Sequence, residues 1–384
     1  MWIYYNRLTY LFEGYLCYQR AISTLKASSI TIGSTSTINN MSIERTIPPT
    51  TLTLITTYKC SAACNNCCFE CNPNRKEKLP LSLAISHIDY AVSKYKSLQV
   101  VVLTGGECFL DLDYLLALIK HIHSNDLLCR VVTNGFWAKS PESALDILTR
   151  CKDAGLDEIN FSTGDDHLEY VSIEKIKNAI CAAVQLNLTV VVNIESGKDR
   201  IFKVEELLKD SRIADFVSIK DSTPPKLTII NGVWMPFTKE SLPYLPPIDK
   251  ETHHPSKDRC SNLFNALTIS PDNRLLACCG LPVLYIKHLD LGNLSRFSID
   301  TLYDNQFNDF LKIWLFVDGP YKILLFVEKK LGFELPECRV LSHTCFYCAA
   351  LFTNKMYLNT AQKFYKEVYS SIMLRYSFIV KQST

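Results

Sequence analysis

Two patterns of apolar and polar residues alternate between residues 51 and 220. Short apolar runs rich in β-branched residues predict buried strands, and the stretches between them, with apolar residues three and four apart, predict amphipathic helices. The strands are predicted at residues 52–57, 100–104, 130–133, 158–162, 189–194 and 216–219, and the helices at 83–95, 112–123, 141–154, 173–186 and 203–210. This repeated alternation favours a parallel sheet with right-handed crossovers, whose functional loops lie at the carboxyl ends of the strands.

The segments outside this alternation have other patterns. A short helix is predicted at 8–25 and a Ser/Thr-rich linker at 28–37. Residues 267–278 predict two short strands around a Pro-Asp-Asn turn, and an apolar stripe at 356–378 predicts a packing helix. We therefore divide the chain into an N-terminal appendage and linker, an α/β core, a proline-rich connector, a cysteine-rich unit and a C-terminal helix, at residues 1–50, 51–220, 221–259, 260–350 and 351–384.

The composition narrows the class of protein. Hydrophobic residues make up 47% and charged residues 21% of the 384 residues, as in ordinary globular proteins. A net charge of +2 gives no electrostatic basis for binding nucleic acid or an anionic membrane. Glu13 interrupts an early apolar stretch, so no export signal is expected, and no run approaches the roughly 18 apolar residues of a membrane span. We expect a cytoplasmic protein whose 16 cysteines serve metal binding or redox chemistry.

The densest group of cysteines follows the first predicted strand. Cys60, Cys64 and Cys67 have the spacing C-x3-C-x2-C, and Cys64, Cys68 and Cys71 repeat it in a second register. Iron–sulfur cubanes are normally held by four cysteines, so three leave one iron without a protein ligand, and an open position lets a metal engage a substrate. A zinc knuckle or a set of buried thiols is the alternative interpretation. We prefer the first register because Cys60 abuts the strand.

This spacing at a strand exit resembles the motif of the radical S-adenosylmethionine (SAM) superfamily. Gly105-Gly106-Glu107, at the end of the second predicted strand, matches the superfamily's Gly-Gly-Glu motif. The resemblance implies an α/β fold: a partial (β/α)6, TIM-like barrel, open on one side, with a small cysteine-rich C-terminal extension. It also implies that the three thiolates hold a [4Fe–4S] cluster whose fourth iron binds the amino and carboxylate groups of SAM. Electron transfer into SAM then yields a 5′-deoxyadenosyl radical.

By this resemblance the residues that bind SAM lie at strand exits or in the cysteine loop, and they are Gly105, Gly106, Glu107, Asn134, Ser162 and Phe69. The two glycines are expected to line the site and Glu107 to hold the SAM amino group, while Asn134 and Ser162 face its ribose and carboxylate. Superfamily members usually have an aromatic residue just before the third cysteine, where this chain has Asn66. We therefore expect Phe69 to make that contact instead.

A polar run follows the fourth predicted strand. Asp165, Asp166 and His167 are candidate catalytic residues, since carboxylate and imidazole groups facing a substrate can transfer a proton. The same residues at a helix start are equally typical of an N-cap with no further role. Asn193 and Glu195, at the exit of the fifth strand, are weaker candidates of the same kind.

The C-terminal cysteines resemble the extension called SPASM, or its shorter Twitch form, which carries auxiliary iron–sulfur clusters. The expected ligands of one auxiliary cluster are Cys260, Cys278, Cys345 and Cys348, with Cys279 and Cys338 as alternates. Asn273 stands where the superfamily pattern has a glycine, and asparagine also tolerates the left-handed turn conformation. A zinc site of the same four thiolates is the alternative, because spacing alone does not separate it from an iron–sulfur cluster.

Radical enzymes with such an extension most often modify peptides or proteins, so the resemblance implies a peptide or protein substrate. It also implies a reducing partner such as flavodoxin or ferredoxin, while the net charge leads us to expect no nucleic-acid or membrane partner. Radical maturation of a small-molecule cofactor or metabolite is the alternative activity. A zinc-stabilised binding module without SAM chemistry is the non-enzymatic alternative, against which the Gly-Gly-Glu motif counts.

Overall fold

The structure is a computed structural model, and it describes residues 46–65, 67–196, 201–217, 227–233, 259–339 and 343–383. The helix predicted at 8–25, the linker predicted at 28–37 and Asn66 lie outside the described residues.

Six parallel strands form the core of the sheet, each paired with the next one along the chain. They are Thr51–Ile55 (β1), Val100–Thr104 (β2), Leu128–Thr133 (β3), Glu158–Thr163 (β4), Thr189–Ser196 (β5) and Leu227–Val233 (β6). The connecting helices are Leu81–Lys94 (α1), Leu112–Ser124 (α2), Pro141–Ala154 (α3), Asp165–Leu168 (α4), Ile173–Gln185 (α5), Val204–Leu208 (α6) and Ser211–Val217 (α7). The sheet has two ends, so the expectation of an open (β/α)6 arrangement is confirmed.

Local sequence explains where the core elements start and turn. In β3 every second residue, from Cys129 to Thr133, is buried, which is the period-two pattern of a strand packed on one face. Helix α3 begins with a capping box between Ser140 and Ser143 and has a proline at its first position. It ends at Gly155, which adopts the left-handed conformation of a helix C-cap.

The sixth strand lies elsewhere than the sequence pattern predicts. Phe216 and Val217, in the strand predicted at 216–219, belong to α7, so that prediction is wrong. The sixth strand is Leu227–Val233, inside the segment assigned to the proline-rich connector, and it pairs with β5 along its whole length. A short apolar run fits a buried helix as well as a strand, and only the pairing with β5 separates the two.

The C-terminal unit extends the same sheet. Strand β7 (Ala266–Ile269) pairs in parallel with β1, followed by antiparallel β8 (Arg274–Leu276) and β9 (Asp290–Asn293), giving the order β6-β5-β4-β3-β2-β1-β7-β8-β9. The predicted hairpin at 267–278 is therefore confirmed. Asn273 in its turn has a φ of 58°, the left-handed conformation expected of it. Its side chain contacts His87 Nε2 at 2.7 Å and donates to Ser295 Oγ at 3.0 Å, tying the hairpin to α1.

Helices complete the C-terminal part of the chain. They are Ile299–Asn305 (α8), Phe310–Leu331 (α9), Thr344–Thr353 (α10), Lys355–Phe364 (α11) and Lys366–Ser383 (α12). The packing helix predicted at 356–378 is thus two helices, and α9 is kinked at Gly319, directly before Pro320. None of the helices among the described residues is both long and apolar enough to cross a membrane.

Candidate active site

The cysteine loop begins at the carboxyl end of β1 and is closed by backbone pairing. Isolated bridges join Thr57 to Lys78 and Lys59 to Asn72, and Cys60 N donates to Asn72 O at 3.1 Å. The two ends of the loop are therefore fixed beside the sheet. Its cysteines lie at the edge where the parallel strands end, as the sequence predicts.

The thiols of Cys60, Cys64 and Cys67 lie within electrostatic reach of one another. Burial raises the pKa of Cys60 to about 11, with Cys67 adding to the shift while backbone N–H groups lower it. Burial, then the neighbouring Cys67 and Cys60, raises the pKa of Cys64. Hydrogen bonds, chiefly from the Cys71 thiol, lower the pKa of Cys67 to about 6, and Cys71 N lies 3.4 Å from its sulfur. Clustered sulfurs with amide donors suit thiolate ligands of a cluster.

These neighbours do not separate the second cysteine register from the first. The neighbouring thiols that raise the pKa of Cys64 most are Cys67 and Cys60. Burial raises the pKa of Cys68, and Cys67 and then Cys345 add to the shift. Cys71 of the second register also lies beside Cys67, so the choice of the first register stays a prediction.

The Gly-Gly pair packs against the chain that leads into the cysteine loop. A Cβ on Gly105, whose φ is 139°, would lie 2.4 Å from Thr57 O, and one on Gly106 would lie 2.0 Å from Lys59 O. Gly106 N donates to Thr57 O at 2.7 Å, and Glu107 N to Lys59 O at 3.0 Å. The sequence suggests a close approach of these glycines to a ligand, but their nearest partner is this backbone. They fix the β2 exit against the start of the cysteine loop.

Glu107 is fully buried at the β2 exit and joins it to the β3 exit. Its Oε1 accepts from Phe109 N at 3.0 Å and from the Thr133 hydroxyl at 2.8 Å, and its Oε2 accepts from Asn134 N at 2.8 Å. Burial raises its pKa to about 7 against these three hydrogen bonds, which lower it. A carboxylate has about four acceptor positions, and these three bonds fill most of them.

Asn134 continues this connection to the cysteines. Its Nδ2 donates to Ser61 Oγ at 3.0 Å and lies 3.6 Å from Cys60 Sγ. Glu107, Asn134 and the first cysteine therefore form one hydrogen-bonded chain across three strand exits. Ser162 is buried at the end of β4, where the register pairs it with Asn193 of β5. Phe69 is half-buried and packs against the core beside the cysteine loop.

The interpretation of the Asp165 run as a helix N-cap is wrong. The residue before α4 is Gly164, and Asp165 is the first residue of the helix. The Asp165 carboxylate instead accepts from Ile201 N at 2.7 Å and from Phe202 N at 2.9 Å, so it holds the segment after β5. If this carboxylate took part in catalysis directly, it would have to give up these two hydrogen bonds.

Asp166 and His167 lie beside a buried carboxylate, Glu195, for which the sequence gives only a weak signal. Glu195 Oε1 accepts from Asp166 N, and Oε2 lies 3.7 Å from His167 Nδ1. A Cβ on Gly164, whose φ is 130°, would lie 1.9 Å from Glu195 Cγ, so the glycine leaves the room that this carboxylate fills. Glu195 and Asp166 also add to the raised pKa of Cys64, after burial and the neighbouring thiols. This polar group therefore adjoins the cysteine loop.

The four predicted C-terminal ligands lie together. Burial raises the pKa of Cys278 and of Cys348, and for both thiols Cys260 and Cys345 add to the shift. Cys345 and Cys348 lie one turn apart on α10 and so share a face of the helix. The pKa of Cys338, an alternate ligand, is shifted by burial and by charged neighbours in its own region rather than by these four thiols.

Backbone N–H groups accompany three of these four thiols. Burial raises the pKa of Cys260 to about 11, and the N–H groups of Leu263 and Asn262 lower it. Gly280 N donates to Cys278 Sγ at 3.4 Å. This donor set suits thiolate ligands of a metal centre. Within the described part of the chain, no three His, Cys, Asp or Glu side chains converge as one metal ion requires. A cubane binds each thiolate through a different iron, so its ligands need not converge on one point.

Comparisons with known proteins agree with this fold. No protein-family model matches the chain. A protein of Bacillus subtilis (strain 168), described as the putative peptide biosynthesis protein YydG, is 21% identical over 320 residues, which cover 81% of this chain and 95% of that protein. Native and polyhistidine-tagged anSMEcpe, both solved with bound AdoMet, each have a TM-score of 0.50 and 11% identity, and they cover 85% of this chain and 99% and 98% of their own chains. With its three-cysteine motif and its Gly-Gly-Glu motif at the exits of β1 and β2, the chain resembles the radical SAM superfamily.

Proposed function

We propose that this protein is a radical SAM enzyme that abstracts hydrogen from a peptide or protein substrate and so modifies it after translation. The observation that carries the proposal is the hydrogen-bonded chain from Glu107 through Asn134 to Cys60. It joins the Gly-Gly-Glu exit to the first cysteine of the three-thiol set, at the edge of the sheet where ligands of such folds bind.

The residues proposed to hold a [4Fe–4S] cluster are Cys60, Cys64 and Cys67. A cluster held there would supply the electron for splitting SAM into methionine and a 5′-deoxyadenosyl radical. Glu107 is proposed to accept a hydrogen bond from the SAM ammonium, and Asn134 orients the loop that carries the thiolates. A reducing partner of the flavodoxin or ferredoxin type would supply the electron.

Phe69, Asn134 and Ser162 are proposed to contact SAM. The catalytic role proposed for Asp166 and His167 is proton transfer at the substrate, with Glu195 orienting the His167 ring through Nδ1. Asp165 is proposed to support this turn by holding residues 201 and 202.

A single auxiliary iron–sulfur cluster is proposed at Cys260, Cys278, Cys345 and Cys348. Two observations support the proposal. These thiols raise one another's pKa, and backbone N–H groups lie beside them. A cluster at this position would accept the electron left on the substrate after hydrogen abstraction. It would also stabilise the C-terminal unit, because metal binding to assembled thiolates adds to the folding free energy.

The peptide substrate rests on the likeness to YydG, which is described as a putative peptide biosynthesis protein. The direct experiment incubates the reconstituted, reduced enzyme with SAM and with a short peptide encoded beside its gene. We expect a change in peptide mass, or in the configuration of one residue, together with peptide-dependent formation of 5′-deoxyadenosine. Release of 5′-deoxyadenosine with no effect on any such peptide would instead support a small-molecule substrate.

A further inference from the structure

Gly280 lies between two of the C-terminal thiols. A Cβ built on it would be 3.2 Å from Cys345 Sγ and 3.3 Å from Cys278 Sγ, both shorter than the 3.4–4 Å of ordinary contact. The residue is buried, and its φ is outside the left-handed region in which glycine is favoured for its backbone. Its missing side chain therefore serves the approach of the two sulfurs.

The backbone of this segment also lies against the same two sulfurs. Gly280 N donates to Cys278 Sγ at 3.4 Å. Burial raises the pKa of Cys345 to about 11, and the backbone N–H of the next residue, Leu281, lowers it. Successive backbone N–H groups that converge on negative charge form an anion-binding concavity. Cys278 follows β8 and Cys345 belongs to α10, so this segment meets sulfurs from two distant parts of the chain.

We propose that Gly280 and Leu281 form a two-amide cradle that positions the Cys278 and Cys345 thiolates for the C-terminal metal centre and tunes that centre. The proposal rests on the proposed function, because it requires a metal centre at these thiolates. Hydrogen bonds to the sulfurs are among the factors that set the reduction potential of an iron–sulfur cluster. They withdraw charge from the thiolates, so the cradle favours the reduced state of a cluster bound there.

Gly280→Ala tests the steric part of the cradle. The added methyl keeps the N–H donor but forces the two sulfurs apart. We expect the anaerobically reconstituted variant to lose the C-terminal share of its iron, about four irons per chain, or to keep that iron with an altered electron paramagnetic resonance spectrum. SAM cleavage at the N-terminal cluster should continue in the variant.

Gly332→Ala is the matched control. A Cβ at Gly332, the C-cap of α9, meets nothing within 4 Å, but its φ of 77° strains any other residue. This variant should unfold at a lower temperature and bind as much iron as the parent. It therefore separates a loss of stability from a loss of the metal centre.

Leu281→Pro removes one donor and puts the proline Cδ in place of the N–H hydrogen, and it provides a second test if Gly280→Ala does not fold. We expect the midpoint potential of the C-terminal cluster to become more negative. The cradle would be refuted if both variants had the same metal content and the same midpoint potential as the parent.

The double variant Cys345→Ala with Cys348→Ala separates the two possible failures. If it loses metal while Gly280→Ala and Leu281→Pro match the parent, the cradle is wrong and the C-terminal metal centre stands. If it keeps the full iron and zinc content of the parent, the proposed metal centre is itself wrong, and the cradle with it.

Discussion

Replacing Glu107 with glutamine tests the link between the Gly-Gly-Glu motif and SAM binding. The carboxylate accepts three hydrogen bonds from the protein, and one acceptor position is proposed for the SAM ammonium. Loss of a charge-assisted hydrogen bond should weaken SAM binding by about 1.5–3 kcal/mol, or roughly 10- to 150-fold in Kd. The glutamine NH2 also faces at least one buried donor, which should lower the free energy of unfolding by about 1–3 kcal/mol.

The assay is anaerobic equilibrium binding of SAM, with thermal unfolding of each variant measured in parallel. Glu77→Gln is the control, because Glu77 is a half-buried carboxylate in the segment after the cysteine loop, where it pairs with Arg75. It should bind SAM as the parent does. A folded Glu107→Gln variant with the parental Kd would refute the assignment of Glu107 to the SAM ammonium.

The same variant has a pH signature in the chain without SAM. Burial raises the pKa of Glu107 from 4.5 to about 7, so between these values the folded chain holds a proton that the unfolded chain releases. The contribution of Glu107 to stability is therefore complete below about pH 4.5 and is lost as the pH rises through about 7. Glu107→Gln should lack this dependence in urea unfolding measured across that range.

Three further predictions concern the C-terminal unit and its contact with α1. Asn273→Ala should lower the free energy of unfolding by at least about 1–2 kcal/mol more than Asn273→Gly, because only alanine is strained at a φ of 58°; equal losses in urea unfolding would argue against this. Burial lowers the pKa of His87 below 6.5. The contribution of His87 to the free energy of unfolding should therefore be lost as the pH falls through that lowered pKa. His87→Gln should unfold in urea without this acid dependence. Cys345→Ala with Cys348→Ala should remove about four irons per chain while SAM cleavage survives, and iron analysis beside 5′-deoxyadenosine formation checks both.

The sequence predicts most of the parallel sheet because buried strands have a recognisable local sequence pattern. The run from Val100 to Thr104 is β-branched and apolar, and it is a strand in the structure. The segment around Phe216 has similar composition and is helical, since tertiary pairing selected Leu227–Val233 as the sixth strand. The pairing of β7 with β1 joins segments more than 200 residues apart, and no local sequence pattern predicts it.

The site shows the same division between local and non-local information. The spacing of Cys60, Cys64 and Cys67 and the motif at Glu107 indicate where the site lies, because they follow strands directly. The close packing of Gly106 on Lys59 depends on the relative position of two loops. Glu195 lies close to His167 only through the turn after β4, so its position at the exit of the fifth strand gave only a weak sequence signal.

The most direct test of the account is 5′-deoxyadenosine formation by the anaerobically reconstituted, reduced protein supplied with SAM. We expect the parent to form it, and we expect its formation to be lost when Cys60, Cys64 or Cys67 is replaced by alanine. Cys181→Ala, which changes a half-buried thiol on α5, should leave formation unchanged. Parental activity in Cys60→Ala, or no 5′-deoxyadenosine from the iron-loaded parent, would contradict the proposed SAM chemistry at these three thiolates.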